Sequence, residues 1–105
     1  MSRIKIHKAE GNPRHDDVTE AQITVDGVYA GELVSDYANT NPCDWYSKES
    51  QRVVTVTASI WIGDDQISKT IHIYEADRRG HLHPTGTTSR QARSELIKWI
   101  RARLG

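Results

Sequence analysis

Across residues 51–74 apolar and polar positions alternate with period two, and the rest of the chain is organised around this stretch. Its first arm, Val53-Val54-Thr55-Val56-Thr57-Ala58-Ser59-Ile60-Trp61-Ile62, is dense in β-branched and aromatic residues, with Val54, Val56, Ala58, Ile60 and Ile62 on one side. The second arm, residues 67–74, repeats the alternation at Ile67, Ile71 and Ile73, and Gly63-Asp64-Asp65-Gln66 between the arms has turn chemistry. The pattern predicts a β-hairpin pairing Ile62 with Ile67, Ala58 with Ile71 and Val56 with Ile73, with Lys69 opposite Ile60 as the awkward member. Its other face then carries Thr55 opposite Tyr74, Thr57 opposite His72 and Ser59 opposite Thr70.

The same reading extends to the flanks. Residues 3–8 alternate Ile4 and Ile6 with Lys5 and His7, which predicts a short edge strand; residues 9–17 read as a loop in which His15 is solvated. Within residues 20–34, Asp26-Gly27 predicts a two-residue type I′ turn, pairing Val25 with Val28 and Ile23 with Ala30 and leaving Thr24 and Tyr29 paired on the opposite face. Leu33 falls out of parity, and a bulge at Gly31 would return it to the core. No period fits residues 35–50, which read as a long connection whose Tyr37, Cys43, Trp45 and Tyr46 dock it as a lid over one sheet end. Residues 75–86, broken by Gly80, Pro84 and Gly86, read as a crossover to a helix. Thr88-Ser89-Arg90-Gln91 matches a capping box. Beyond it, Ala92, Leu96, Ile97, Trp99, Ile100 and Leu104 share one arc of a helix, and Arg90, Ser94, Lys98 and Arg101 occupy the other side. The expected fold is α+β: one domain over residues 1–105, an antiparallel sheet of about five strands (strand, hairpin, hairpin) packed by one C-terminal helix as a two-layer sandwich. The helix should cover the sheet face of Ile23, Val25, Val56, Ala58, Ile60, Ile71 and Ile73.

Composition changes this picture in two ways. There is no Phe, so Trp45, Trp61, Trp99 and the tyrosines must serve as large apolar anchors. Formal net charge is zero, yet residues 1–77 carry seven basic and 13 acidic side chains, whereas residues 78–105 carry seven basic and one acidic. An acidic body with a basic tail points to nucleic acid, to an acidic protein partner, or to attraction between tail and body. A lone Cys43 precludes an intrachain disulfide, and residues 1–8 contain no apolar run of signal-peptide or membrane length, so the expected location is cytoplasmic, without membrane association.

Signals for catalysis are weak. His81-Leu82-His83 supplies two imidazoles on one side of an extended segment, but a zinc site needs further ligands from His72, His15 or Cys43, and no ligand spacing supports that. No phosphate loop, Ser-centred elbow or nucleotide fingerprint occurs. Glu20, Glu32, Asp36 and Asp64-Asp65 are carboxylates in turn or surface settings. The expectation is therefore no enzyme, no catalytic residue, no cofactor and no metal. Two surfaces stand out instead. One is the polar face of the central hairpin, where Trp61, His72 and Tyr74 are candidate partner-binding residues, with Tyr37, Trp45 and Tyr46 either adding loop contacts or covering them. The other is the outer stripe of the helix, where Arg90, Lys98 and Arg101, flanked by Arg93, are candidate phosphate contacts. Lys98, Arg101 and Arg103 also suit the negative end of the helix dipole.

Two phrases carry a family likeness. Ile23-Thr24-Val25-Asp26-Gly27-Val28-Tyr29-Ala30-Gly31-Glu32-Leu33 and Leu96-Ile97-Lys98-Trp99-Ile100-Arg101-Ala102-Arg103-Leu104 resemble pieces of small phage or prophage proteins built as a sheet plus one helix. That group includes inhibitors of host defence such as anti-CRISPR proteins. The resemblance implies a non-enzymatic protein-binding module that acts on host machinery by occupying a partner's surface, and it carries over no functional residue. The alternative reading is a DNA- or RNA-binding protein using the basic helix and the aromatic sheet face. A homodimer formed through that face stays open as well.

Overall fold

Period-two alternation becomes a sheet and the capped amphipathic segment becomes its cover. The computed structural model describes residues 3–11, 18–40 and 51–105. In chain order these form β1 (Ile4–Ile6), β2 (Val18–Val25), β3 (Val28–Asn39), β4 (Gln51–Ile62), β5 (Asp65–His72), β6 (Tyr74–Ala76), β7 (Leu82–Pro84) and α1 (Ser89–Leu104). The first five make one antiparallel meander in the order β1-β2-β3-β4-β5, β6 and β7 make a small second sheet, and α1 packs on the large sheet, chiefly on β4.

The central hairpin forms in a different register from the expected one. Ile62 pairs with Asp65, Ile60 with Ile67, Ala58 with Lys69 and Val56 with Ile71. Only Gly63 and Asp64 make the turn. Gly63 has φ 63° and Asp64 stays at negative φ, the type II′ pattern with glycine first. Relative to the expectation the arms slide by two residues, and an even slide leaves every side chain on its expected face. Lys69 consequently faces Ala58 rather than Ile60, and its Nζ lies 3.7 Å from Glu95 Oε1 on α1. A register shift past Asp36 pairs Tyr37 with Val53, so Val54 is the extra residue and Val53 takes its place against the core.

The Asp-Gly turn forms as its chemistry predicts, with Asp26 at φ 52° and Gly27 at φ 84°. Val25 pairs with Val28 and Thr24 with Tyr29, after which Ile23 meets Gly31, not Ala30. The bulge therefore falls one residue early, at Ala30, and it does return Leu33 to the core. Residues 35–39 are strand rather than connection, because residues 51–56 of β4 supply them with ladder partners. Nor is the 75–86 stretch a plain crossover: Tyr74 pairs with Pro84 and Ala76 with Leu82. The Thr85 hydroxyl donates to the carbonyls of His72 and Ile73 at 2.8 and 3.1 Å, fastening this hairpin to the end of β5.

The core lies between the sheet and α1. Ala21, Ile23, Leu33, Val56, Ala58, Ile60 and Ile73 meet Ala92, Leu96 and Ile100, which recur every four residues along the inner line of the helix. At the helix start the Gln91 amide donates to Thr88 Oγ1 at 3.1 Å and the Thr88 amide donates to Gln91 Oε1 at 2.9 Å. The capping box is thus complete, and such a cap stabilises a helix by about 1 kcal/mol. Among the described residues no helix is long and apolar enough to cross a membrane.

Candidate functional site

Among the described residues α1 covers one face of the sheet and no helix covers the other, whose middle is occupied by side chains that bond to one another. Registers align Gln22, Glu32, Ser59 and Ser68 in one row, Glu20, Val34, Thr57 and Thr70 in the next, and Asp36, Thr55 and His72 in a third. The Ser59 and Ser68 hydroxyls are 2.9 Å apart, as are those of Thr57 and Thr70, and Thr55 Oγ1 donates to Asp36 Oδ2 at 2.9 Å. This is the polar ladder expected of a water-facing antiparallel sheet.

At one end of the sheet an apolar cluster spans both faces, Tyr29 and Trp61 sharing the face of the ladder and Val28 and Ile62 the face of α1. In a meander the β2–β3 and β4–β5 turns fall at the same edge, and the last turn of α1 arrives there too. Val28 is 69%, Tyr29 50%, Trp61 44% and Ile62 43% exposed. With Arg103 and Leu104 they border a groove of about 430 Å³. The Tyr29 hydroxyl donates to Glu32 Oε1 at 3.0 Å. Partial desolvation, and then the bond to and charge of Glu32, push the phenol above its ordinary range. Arg103 stacks over Trp99, 5.8 Å from the ring centre, which sets a cation beside the groove.

The structure separates the residues expected to act together. Trp61 pairs with Gln66 and His72 with Thr55, so they share a face but lie six positions apart along β4, roughly 20 Å. Tyr74 does not join them. The strand breaks at Ile73, the alternation restarts in β6, and Tyr74 packs against the core. It borders a cavity of about 490 Å³ with Tyr37, Val53, Ile73 and the start of α1. Tyr37 likewise belongs to β3 rather than to a loop, and Trp61 is exposed. Trp45, Tyr46, Cys43 and His15 lie outside the described residues. Arg90, Arg93, Lys98 and Arg101 are exposed along α1. Val28, Tyr29 and Ile62 were not singled out by alternation, which assigned Ile62 to the core face. The usable signal was their position beside the two tight turns.

His83 and His81 do not form a paired ligand set. His83 Nε2 meets Asp77 Oδ2 at 2.8 Å, while Asp77 Oδ1 accepts from the amides of Arg79 and His81 at 2.8 and 3.0 Å. Among the described residues no three His, Cys, Asp or Glu side chains converge in a way that would hold a metal. The His83 hydrogen bond, and then the His81 amide, lower the Asp77 carboxyl to about 2. A depressed folded pKa means that this carboxylate favours the native loop above its ordinary value of 3.8, and that the contribution fades as pH falls through about 2. Carboxyl NMR should accordingly find Asp77 titrating near 2, and Asp77→Ala should speed amide exchange at Arg79 and His81 while leaving the sheet amides protected. A midpoint near 4 would contradict these hydrogen bonds.

Comparisons of the chain with family models, with curated proteins and with solved structures find no match.

Proposed function

We propose that this chain is a non-enzymatic protein-binding module whose contact surface is the Val28, Tyr29, Trp61 and Ile62 cluster. The observation that carries this reading is the gathering of four large apolar side chains, each at least 43% exposed, at the end of the sheet where the two tight turns meet the last turn of α1. Exposed apolar side chains grouped in this way mark contact sites, and Trp and Tyr are enriched among the residues that dominate binding energy. Asp26, Asp64 and Asp65 around the turns and Arg103 at the groove supply a charged rim. The likeness of residues 23–33 and 96–104 to phage-encoded anti-defence proteins supports a component of host machinery as the partner, and the lone Cys43 suits action in a reducing cytoplasm.

Affinity capture from source-cell lysate with wild-type and Tyr29→Ser/Trp61→Ser baits tests this. Both side chains are exposed, so the double variant should keep the wild-type circular dichroism spectrum. A partner held by the wild type should be retained at least tenfold less by the variant. Equal retention of every captured protein by the two baits would overturn the assignment of this surface.

A further inference from the structure

The sheet ends at β5, and among the described residues no strand lies along its outer edge. Two hydrogen bonds fix which backbone groups that edge presents. The Ile73 amide donates inward to the Val54 carbonyl at 2.8 Å. The His72 carbonyl shares a peptide plane with that amide and points the opposite way, outward, where the Thr85 hydroxyl donates to it at 2.8 Å. Period-two alternation then turns the amides and carbonyls of Gln66, Ser68 and Thr70 outward as well. The His72 end is therefore capped by the small second sheet, and residues 66–70 are the open part of the edge. The β4–β5 ladder runs without a bulge and β5 contains no Pro, so Lys69 is the one device there that discourages further pairing. It shares the α1 face with Asp65, Ile67 and Ile71, and its charge is already met by Glu95.

A second copy of the chain can meet this edge in few registers. Residues opposite one another in a continuous sheet share a face, so a two-fold axis relating two antiparallel β5 strands must pass through a residue position. Centred on Lys69, the strands would oppose Lys69 to itself and call on the His72 carbonyl that Thr85 holds. Centred on Ser68, they would oppose Ile67 to Lys69 and Asp65 to Ile71, an apolar side chain against a charge each time. Centred on Ile67, they oppose Ile67 to its own counterpart and Asp65 to Lys69 reciprocally, with Gln66 against Ser68 on the other face. This register uses only the open part of the edge and matches every side chain on the α1 face.

We propose that two copies of this chain associate through β5 in the Ile67-centred register, joining their five-stranded sheets into one, at a surface distinct from the apolar cluster. The charge pattern is what selects a second copy as the occupant: Asp65 and Lys69 are both answered when the facing strand repeats them in reverse, and a two-fold axis supplies that by symmetry. Each Gln66–Ser68 pair exchanges two backbone hydrogen bonds. Lys69 keeps Glu95 and gains the partner's Asp65, since an ammonium has donors for both. The helices do not obstruct the approach. Each α1 lies chiefly over β4, and the two β4 strands would stand about 14 Å apart, room for two helices roughly 10–12 Å across.

Sedimentation equilibrium from about 10 μM to about 1 mM tests the assignment. The average mass should climb from 11.9 kDa toward twice that value. Ser68→Pro removes an outward amide and none that bonds to β4, so it should raise the dissociation constant at least tenfold. A charge exchange tests the register without altering the backbone. Asp65→Lys and Lys69→Asp each set like charges opposite one another and should each weaken association about tenfold, whereas an equimolar mixture of the two proteins restores opposite charges at both positions and should associate as the wild type does. Tyr29→Ser/Trp61→Ser should match the wild type, and circular dichroism checks the folding of every variant. A mass of 11.9 kDa throughout, a mixture that associates no better than its components, or a dimer weakened by Tyr29→Ser/Trp61→Ser and not by Ser68→Pro would overturn the proposal. The first two results leave the apolar cluster's assignment to another protein standing, and the third would make that cluster the contact between copies.

Discussion

Gly31→Ala should cost about 3 kcal/mol of stability, a large share of what a domain of this size possesses. A Cβ built on Gly31 would lie 2.1 Å from the Ser59 carbonyl oxygen and 2.8 Å from Ile60 Cα. Both are backbone atoms of β4, so neither can swing aside as a flexible side chain would. Gly31 also pairs with Ile23 on β2, so relief of the clash means prying apart the middle of the sheet. The substitution brings one opposing gain: alanine has less unfolded-state entropy to lose, worth up to about 1 kcal/mol. The clash exceeds it. Thermal unfolding should show a fall in Tm on the order of 15 °C. Gly80→Ala makes a useful contrast, because its Cβ would meet nothing within 4 Å and the penalty comes only from a φ of 81°; about 1 kcal/mol is expected there. A Gly31→Ala protein melting within a few degrees of wild type would contradict the close approach of β3 and β4.

Leu96→Ala should destabilise by a similar amount, about 3 kcal/mol, for a different reason. Leu96 is 0% exposed at the centre of the inner line of α1, with Ala92 and Ile100 on either side and Val56, Ala58 and Ile60 in the same core. Truncation removes buried methyl groups and leaves a cavity, because a β-sheet on one side and a capped helix on the other relax little. Ile97, one residue on, is half-buried and belongs to no core cluster, so Ile97→Ala should cost ~1 kcal/mol or less. Urea titrations should show the Leu96→Ala midpoint displaced well below that of Ile97→Ala, with similar slopes. Equal midpoints would mean that the apolar seam lies elsewhere on the helix.

How far each feature was legible depends on how local its cause is. The Asp26-Gly27 turn needs positive φ at two adjacent residues, and the Thr88 and Gln91 bonds close within one helical turn, so both follow from neighbouring residues. The central hairpin was harder. Gly63, Asp64, Asp65 and Gln66 are all acceptable in turns, so a four-residue and a two-residue connection fit the same text. The competing registers differ by two and leave the same residues facing the core, so hydrophobic pattern does not choose between them. Tyr74 is misplaced because a strand break at Ile73 resets parity, and β3 extends beyond its sequence reading because its last residues are held by ladder partners in β4 that local pattern does not reveal. For the candidate surfaces, Trp61 and the basic stripe could be named from pattern alone. The distance between Trp61 and His72, and the company of Val28, Tyr29 and Ile62, could not.

The sequence by itself determined the α+β class, the two main antiparallel hairpins, the capped helix and, apart from Val53, Val54 and Tyr74, the sorting of the central hairpin's side chains between inner and outer faces. These rest on periodicity and on short-range hydrogen bonding, which a chain carries wherever it goes. Only the tertiary structure decided which ends of the elements meet, and with that where function is to be sought. The meander brings two tight turns and the end of α1 to one edge and so assembles the apolar cluster. The Glu95–Lys69 pair ties the helix's single carboxylate to β5. Both outcomes arise from contacts between residues far apart in the chain, whose energies no local pattern encodes.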